Sequence, residues 1–171
     1  KDSGEFNFHP GPIFSQLVLA DEINRTTPKS QSALLEAMEE RQVTIEGQTR
    51  KLPSPFFVIA TQNPNTQAGT FPLPESQLDR FLMRIELGYP DAAAERILLK
   101  GEDRRAILDR LDPTMDLAQL REAQVEAEQV KVSEALLDYI QRLVQYTRQA
   151  PEFAYGLSPR GTLALLSCAR G

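Results

Sequence analysis

An α/β core followed by an all-helical segment is the fold class this sequence predicts, on three observations. Leu17-Val18-Leu19-Ala20 and Phe56-Phe57-Val58-Ile59-Ala60 are short apolar runs without period-2 alternation, the pattern of strands buried on both faces of a parallel sheet. Each run ends in polar side chains, Asp21-Glu22 after the first and Thr61-Gln62-Asn63-Pro64 after the second. Beyond Gly88-Tyr89-Pro90 the apolar pattern is helical throughout, which places a boundary near residue 89.

Taken in order, Phe6 and Phe8 alternate with polar residues before Pro10-Gly11-Pro12, as in a strand feeding a turn. His9, the sole histidine, has no partner at metal-ligand spacing. Asp21 and Glu22 then follow the first apolar run. Ligands of open parallel sheets bind beyond the carboxyl ends of the strands, so this acid pair either meets a phosphate-bound metal or caps a surface loop, and spacing supports both. Thr27-Pro28 is a helix start, with a hydroxyl cap and a proline at the first helical position. Leu34, Leu35 and Met38 mark the packed face of that helix to about Glu40.

Val43 to Ile45, the turn Glu46-Gly47 and Gln48 to Leu52 read as a β-hairpin closed by Pro53 and Pro55. Its basic residues Arg41, Arg50 and Lys51 are offset by Glu39, Glu40 and Glu46. Pro72 and Pro74 introduce a short helix from Glu75 to about Phe81, with Arg80 at its end, and an alternating strand from Met83 to Leu87 follows. Asp91, Asp116 and Ser133 are placed to cap three further helices carrying apolar stripes. Ser158 and Pro159 open a last helix and put Arg160 in its first turn, against the helix dipole. An anion at that helix end relieves the conflict; a solvated arginine is the alternative.

Composition narrows the function classes. The 171 residues are 41% hydrophobic and 25% charged, an ordinary globular balance without a disordered or membrane signature. A net charge of -5 gives no global attraction to nucleic acid or anionic lipid, leaving only a local basic patch open for such contacts, and the apolar runs are too short for a membrane span. One cysteine, Cys168, excludes an internal disulfide and is expected as a small buried hydrophobe in a reducing compartment. The cytoplasm is the expected location. None of the nine glycines is followed by lysine, so no phosphate-binding loop of the Gly-Lys-Ser/Thr type is present. With Lys1 first and Arg170-Gly171 closing a helical pattern, the chain reads as a fragment of a longer protein.

Six stretches, PGPIF ending near residue 15, LADEINR (19 to 25), QSALLEAMEERQVTI (31 to 45), FFVIATQNP (56 to 64), PLPESQLDRFLMRI (72 to 85) and LSPRG (157 to 161), resemble the MoxR branch of the AAA+ ATPases. The resemblance implies a partial AAA+ αβα nucleotide-binding core over residues 1–88 and an α-helical lid over 89–171. It implies a Walker B motif in which Asp21 holds Mg²⁺, through water, and Glu22 orients and polarises the attacking water. By the same likeness Asn63 is sensor 1, Arg80 the arginine finger reaching a neighbouring subunit's nucleotide, and Arg160 sensor 2. Asp21, Glu22, Asn63 and Arg160 are then the residues that meet ATP and its metal. Arg84 competes for the finger role, but its alternating strand makes it a solvated residue. Residues 1–12 correspond to the tail of a helix-2 insert and 41–53 to the hairpin before sensor 1.

Implied partners are a homo-oligomeric ring, with a hexamer as the expected count, and a client protein that ATP hydrolysis remodels, matures or loads with a metal cofactor. A von Willebrand factor A-type domain is a further implied partner. Since Walker A is absent, the chain alone is expected to be inactive as an ATPase. Two rival classes stand beside this reading. One is a non-catalytic binding or assembly piece, separated by whether a Gly-Lys-Ser/Thr loop lies upstream in the gene. The other is a DNA-handling ring ATPase, against which the mixed charge of residues 39–51 argues, because phosphate contacts need uncompensated Lys and Arg.

Overall fold

The computed structural model describes residues 8–63, 69–101 and 104–171, with the backbone alone at 104 and 105. The chain divides into two compact units between Phe81 and Leu82. Phe6 and the first seven residues of the expected insert tail lie outside the described residues, as does Pro64. Phe8 is not in a strand; it stacks edge-on against Phe14 at 5.5 Å, beside the 3₁₀ turn Pro12–Phe14.

In the first unit the two apolar runs become neighbours. β1 (Leu17–Ala20) pairs in parallel with a strand at Phe57–Ala60, in the register Leu17↔Phe57 through Ala20↔Ala60. Parallel strands need a crossover, and here it contains α1 (Pro28–Glu40) and a hairpin of β2 (Gln42–Ile45) and β3 (Gln48–Lys51), which makes the Phe57–Ala60 strand β4. Thr27 caps α1 as its sequence position predicts, its hydroxyl accepting from the Ser30 N–H at 3.3 Å. Leu35 and Ala37, 1% and 2% exposed, carry the buried face of α1 into two clusters, one with Ile23 and Leu73 and one with Leu52 and Phe56.

The expectation of strands buried on both faces is overturned. Burial alternates along both strands: Val18, Ala20, Val58 and Ala60 are half-buried, whereas Leu17, Leu19, Phe57 and Ile59 are 46–63% exposed. The parallel register puts the four exposed side chains on one face, and nothing among the described residues covers it. A run of apolar residues records that both faces are suited to burial, but a two-stranded sheet with α1 on one side buries only that side.

Where α1 ends, Arg41 takes a left-handed conformation (φ 54°), and its guanidinium donates to the Phe56 carbonyl while lying over the Phe56 ring. That contact ties the helix end to the entry of β4. The hairpin turn is the predicted pair Glu46-Gly47, at φ 52° and 75°; two successive left-handed residues are what a two-residue turn between right-twisted strands requires. After it, α2 (Glu75–Leu78) is one turn shorter than expected, and Arg80 follows it.

A second expectation fails at Met83 to Leu87, which forms no strand. Alternation is only half of a strand; the other half is a ladder partner for its N–H and C=O groups, and none of the described strands pairs with it. Leu87 is accordingly 94% exposed, and Arg84 pairs locally with Glu86 at 2.6 Å with both side chains in solvent.

Among the described residues, every regular element of the second unit is a helix. α3 (Ala92–Lys100), α5 (Leu117–Gln129), α6 (Glu134–Gln149) and α7 (Pro159–Arg170) begin at the caps read from the sequence: Asp91, Asp116, Ser133 and Ser158. At Asp116 the cap is reciprocal, because Gln119 returns a bond to the Asp116 N–H. The short α4 (Arg104–Leu108) was not expected. Ile140, Val144 and Thr147 form the buried stripe of α6, and α5 and α6 both pack on α7. Thr147 accepts from the Leu157 N–H (3.1 Å) and Arg148 donates to the Leu157 carbonyl (2.9 Å), fixing the chain just before Ser158. Cys168 is exposed rather than buried, since contacts on α7 fall on its earlier turns and residues 167–169 all face solvent.

Candidate functional site

The carboxyl ends of β1 and β4 lie side by side, so Asp21-Glu22 and Thr61 to Asn63 emerge together. Thr61 bonds to four consecutive residues of the other strand's exit. Its N–H donates to the Ala20 carbonyl (3.1 Å), and its carbonyl accepts from the Ile23 N–H (3.0 Å). The hydroxyl accepts from the Glu22 N–H (2.9 Å) and donates to Asp21 Oδ1 (2.5 Å). Asp21 is exposed at the strand tip with one carboxylate oxygen oriented.

Glu22 occupies the left-handed region (φ 49°, ψ 49°), which costs a non-glycine residue about 1–2 kcal/mol. The turn that follows, Ile23–Arg25, reverses the chain within one 3₁₀ turn and returns it toward α1. Glu22 Oε2 is 3.1 Å from Arg25 Nε, with the side chains 40% and 47% exposed, a surface pair that contributes little to stability.

Two buried amides support this turn from beneath. Asn24, 9% exposed, donates through Nδ2 to the Asn63 carbonyl (3.4 Å), and its main-chain carbonyl accepts from the Phe71 N–H (2.6 Å). Gln31, 2% exposed on α1, donates through Nε2 to the carbonyls of Phe71 (2.8 Å), Ile23 (3.1 Å) and Thr26 (3.3 Å). Asn63 is exposed, three residues past the end of β4. Asp21, Glu22 and Asn63 are therefore brought to one end of the sheet, joined through Thr61 and Asn24.

Arg80 sits apart from that cluster in its contacts. Its guanidinium pairs with Glu39 of α1 at 2.9 Å, in a cleft of about 380 Å³ also lined by Glu36 and Glu40. Arg160 belongs to the second unit, exposed in the first turn of α7 where Ser158 caps the Gly161 N–H at 2.9 Å.

Thr61, Gln31 and Asn24 were not singled out from the sequence. One signal was available: Gln31 lies three, four and seven residues before Leu34, Leu35 and Met38, so a polar amide occupies the apolar stripe of α1. No group of three or more His, Cys, Asp or Glu able to enclose a metal exists among the described residues. An exposed carboxylate with one oriented oxygen fits a different mode, a hard cation held by one or two carboxylates, water and phosphate oxygens.

The sequence profile of the ATPase family associated with various cellular activities (AAA) matches residues 1–83. YeaC, an uncharacterized protein of Bacillus subtilis, is 48% identical over 97% of this chain and 52% of its own length. Chaperone MoxR1 of Mycobacterium tuberculosis is 43% identical over 97% of the chain and 46% of its own length. The chain thus spans about half the length of these relatives. The crystal structure of a candidate ATPase from Cytophaga hutchinsonii superposes with a TM-score of 0.85 at 40% identity, over 98% of this chain and 53% of that one. Because the likeness to these relatives and to the solved structure runs through both units, beyond the profile match that ends at residue 83, the chain belongs to the MoxR family of AAA+ ATPases, with a partial αβα core followed by an all-helical lid.

Proposed function

We propose that this chain is the Walker B-to-sensor 2 part of a MoxR-type module that couples ATP hydrolysis to remodelling, maturation or metal-cofactor loading of a client protein. Residues 1–88 serve as core and 89–171 as lid. The observation that carries the reading is the cluster at the paired strand ends, where Asp21 and Glu22 stand beside Thr61 and the Asn63 loop. Bound Mg²⁺ supplies charge neutralisation at the phosphates. Asp21 would hold it by the carboxylate that Thr61 orients. Glu22, one residue on, takes the role of base toward the attacking water, and the Asn63 amide positions that water or the terminal phosphate.

Arg80 acts as arginine finger toward a neighbouring subunit in a homo-oligomeric ring, a hexamer, and Arg160 as sensor 2. The pairing of Arg80 with Glu39 keeps the guanidinium aligned on α1 until a neighbour's nucleotide presents a stronger anion. A von Willebrand factor A-type partner and a cytoplasmic setting complete the proposal; no helix among the described residues is long and apolar enough to cross a membrane.

Glu22→Gln in the full-length protein tests the assignment. It keeps the shape and loses the base, so nucleotide binding stays while hydrolysis falls by about 10² or more. Hydrolysis at the wild-type rate in that variant removes Glu22 from the role.

A further inference from the structure

We infer that Thr61 is a positioning residue for both acids of the Walker B pair: its hydroxyl orients the metal-holding carboxylate of Asp21 and at the same time holds the backbone of the base, Glu22. The inference rests on the nucleotide-site reading above and deepens it.

The hydroxyl spends its donor on Asp21 Oδ1 (2.5 Å) and one of its lone pairs on the Glu22 N–H (2.9 Å), so one rotor fixes two consecutive acids. A hydroxyl at a strand end commonly serves only to finish the ladder. Here that work is already done by the main chain: the Thr61 N–H bonds the Ala20 carbonyl and the Ile23 N–H bonds the Thr61 carbonyl. The side-chain bonds are therefore additional to strand closure, and they fall on the two residues proposed to do chemistry.

Both bonds also have directional consequences. A donor on Oδ1 restricts rotation of the Asp21 carboxylate and occupies one lone pair of that oxygen, leaving Oδ2 without a partner among the described residues. An N–H held at Glu22 stabilises the left-handed turn (φ 49°) from which the Glu22 side chain departs. Since a charge-assisted O–H···O⁻ bond of this length is among the stronger protein hydrogen bonds, the carboxylate is oriented before any cation arrives. Orientation of a metal-binding carboxylate by a neighbouring donor is worth about 10- to 100-fold in metal affinity or activity where it has been removed from metal sites.

The test is Thr61→Val against Thr61→Ser in the full-length protein. Valine keeps the branched shape and loses the hydroxyl; serine keeps the hydroxyl and loses the methyl. Two quantities are read: the Mg²⁺ concentration that half-saturates binding of a fluorescent ATP analogue, and kcat and KM for ATP at saturating Mg²⁺. Thr61→Val raises the half-saturating Mg²⁺ by about tenfold and lowers kcat by a similar factor, with KM for ATP changed less than about twofold; Thr61→Ser stays within about twofold of wild type in all three. A third measurement separates positioning from general damage. Added to Asp21→Ala, Thr61→Val produces no further rise in the Mg²⁺ requirement, because the oriented group is already gone. If Thr61→Val does not fold, Thr61→Ala is measured in its place against the same expectations.

A Thr61→Val protein with the wild-type Mg²⁺ requirement, a serine variant as impaired as the valine one, or effects that multiply in the Asp21→Ala background each overturn the inference while leaving the ATPase reading intact. A wild-type protein that shows neither Mg²⁺-dependent nucleotide binding nor hydrolysis overturns that reading, and the inference with it.

Discussion

Replacing Gln31 with leucine removes the amide that braces the turn after Glu22. The side chain is 2% exposed, and its two Nε2 protons are shared among three carbonyls, so about two full hydrogen bonds are lost. The Ile23 carbonyl keeps other donors, the Thr26 N–H (3.1 Å) and the Thr26 hydroxyl (2.7 Å), and is not left bare. The carbonyls of Thr26 and Phe71 belong to exposed residues and recover part of their loss from water. At about 0.5–1.5 kcal/mol net per bond, and with leucine refilling most of the volume, the cost is about 2 kcal/mol. Native-state amide exchange at Leu35 and Ala37 reads the first unit alone, and that cost appears there as exchange faster by about 30-fold. Gln31→Glu is the control in the opposite sense: it presents a carboxylate to three carbonyl oxygens and is more damaging than leucine at neutral pH. The reasoning is refuted if Gln31→Leu exchanges within about twofold of wild type, or if the glutamate variant is the milder of the two.

Three further outcomes follow from the proposed roles. Arg80→Ala in the full-length ring binds ATP yet loses hydrolysis by about 10³ or more, and mixing it with Glu22→Gln subunits restores some activity by re-forming an interface with both residues intact; activity no higher than that of either variant alone removes Arg80 from a trans role. Arg160→Ala, if this residue also acts across the interface, lowers hydrolysis while leaving ATP binding by the dissociated subunit almost unchanged; a tenfold weakening there, about 1.4 kcal/mol, places it in cis instead. The 171-residue chain by itself binds ATP with Mg²⁺ too weakly for micromolar titration calorimetry, because its acids and Asn63 meet only metal, water and terminal phosphate and no Gly-Lys-Ser/Thr loop cradles the rest. Micromolar affinity in that experiment refutes the reading of these residues as one side of a nucleotide site.

Local signals sufficed for most of the secondary structure. Thr27, Asp91, Asp116, Ser133 and Ser158 each begin a helix because a side-chain oxygen at a cap needs nothing beyond the next three residues. Glu46-Gly47 makes its turn for the same reason, a backbone preference contained in two residues. The position of Asp21 and Glu22 at a strand end was equally legible, since the run before them is apolar and the run after is not. Wherever the outcome depended on a partner distant in sequence, tertiary structure decided it. Residues 83–87 carry a strand's alternation and form none, for want of a ladder partner. Leu17, Leu19, Phe57 and Ile59 are apolar and exposed because a covering layer is a property of the surroundings, not of the strand. The bond between Thr61 and Asp21 joins residues 40 apart, and that between Gln31 and Phe71 likewise spans 40. A hydroxyl or an amide reads the same in any sequence; only the parallel register of β1 with β4, and the return of the chain at Phe71 beneath α1, bring each to the group it holds.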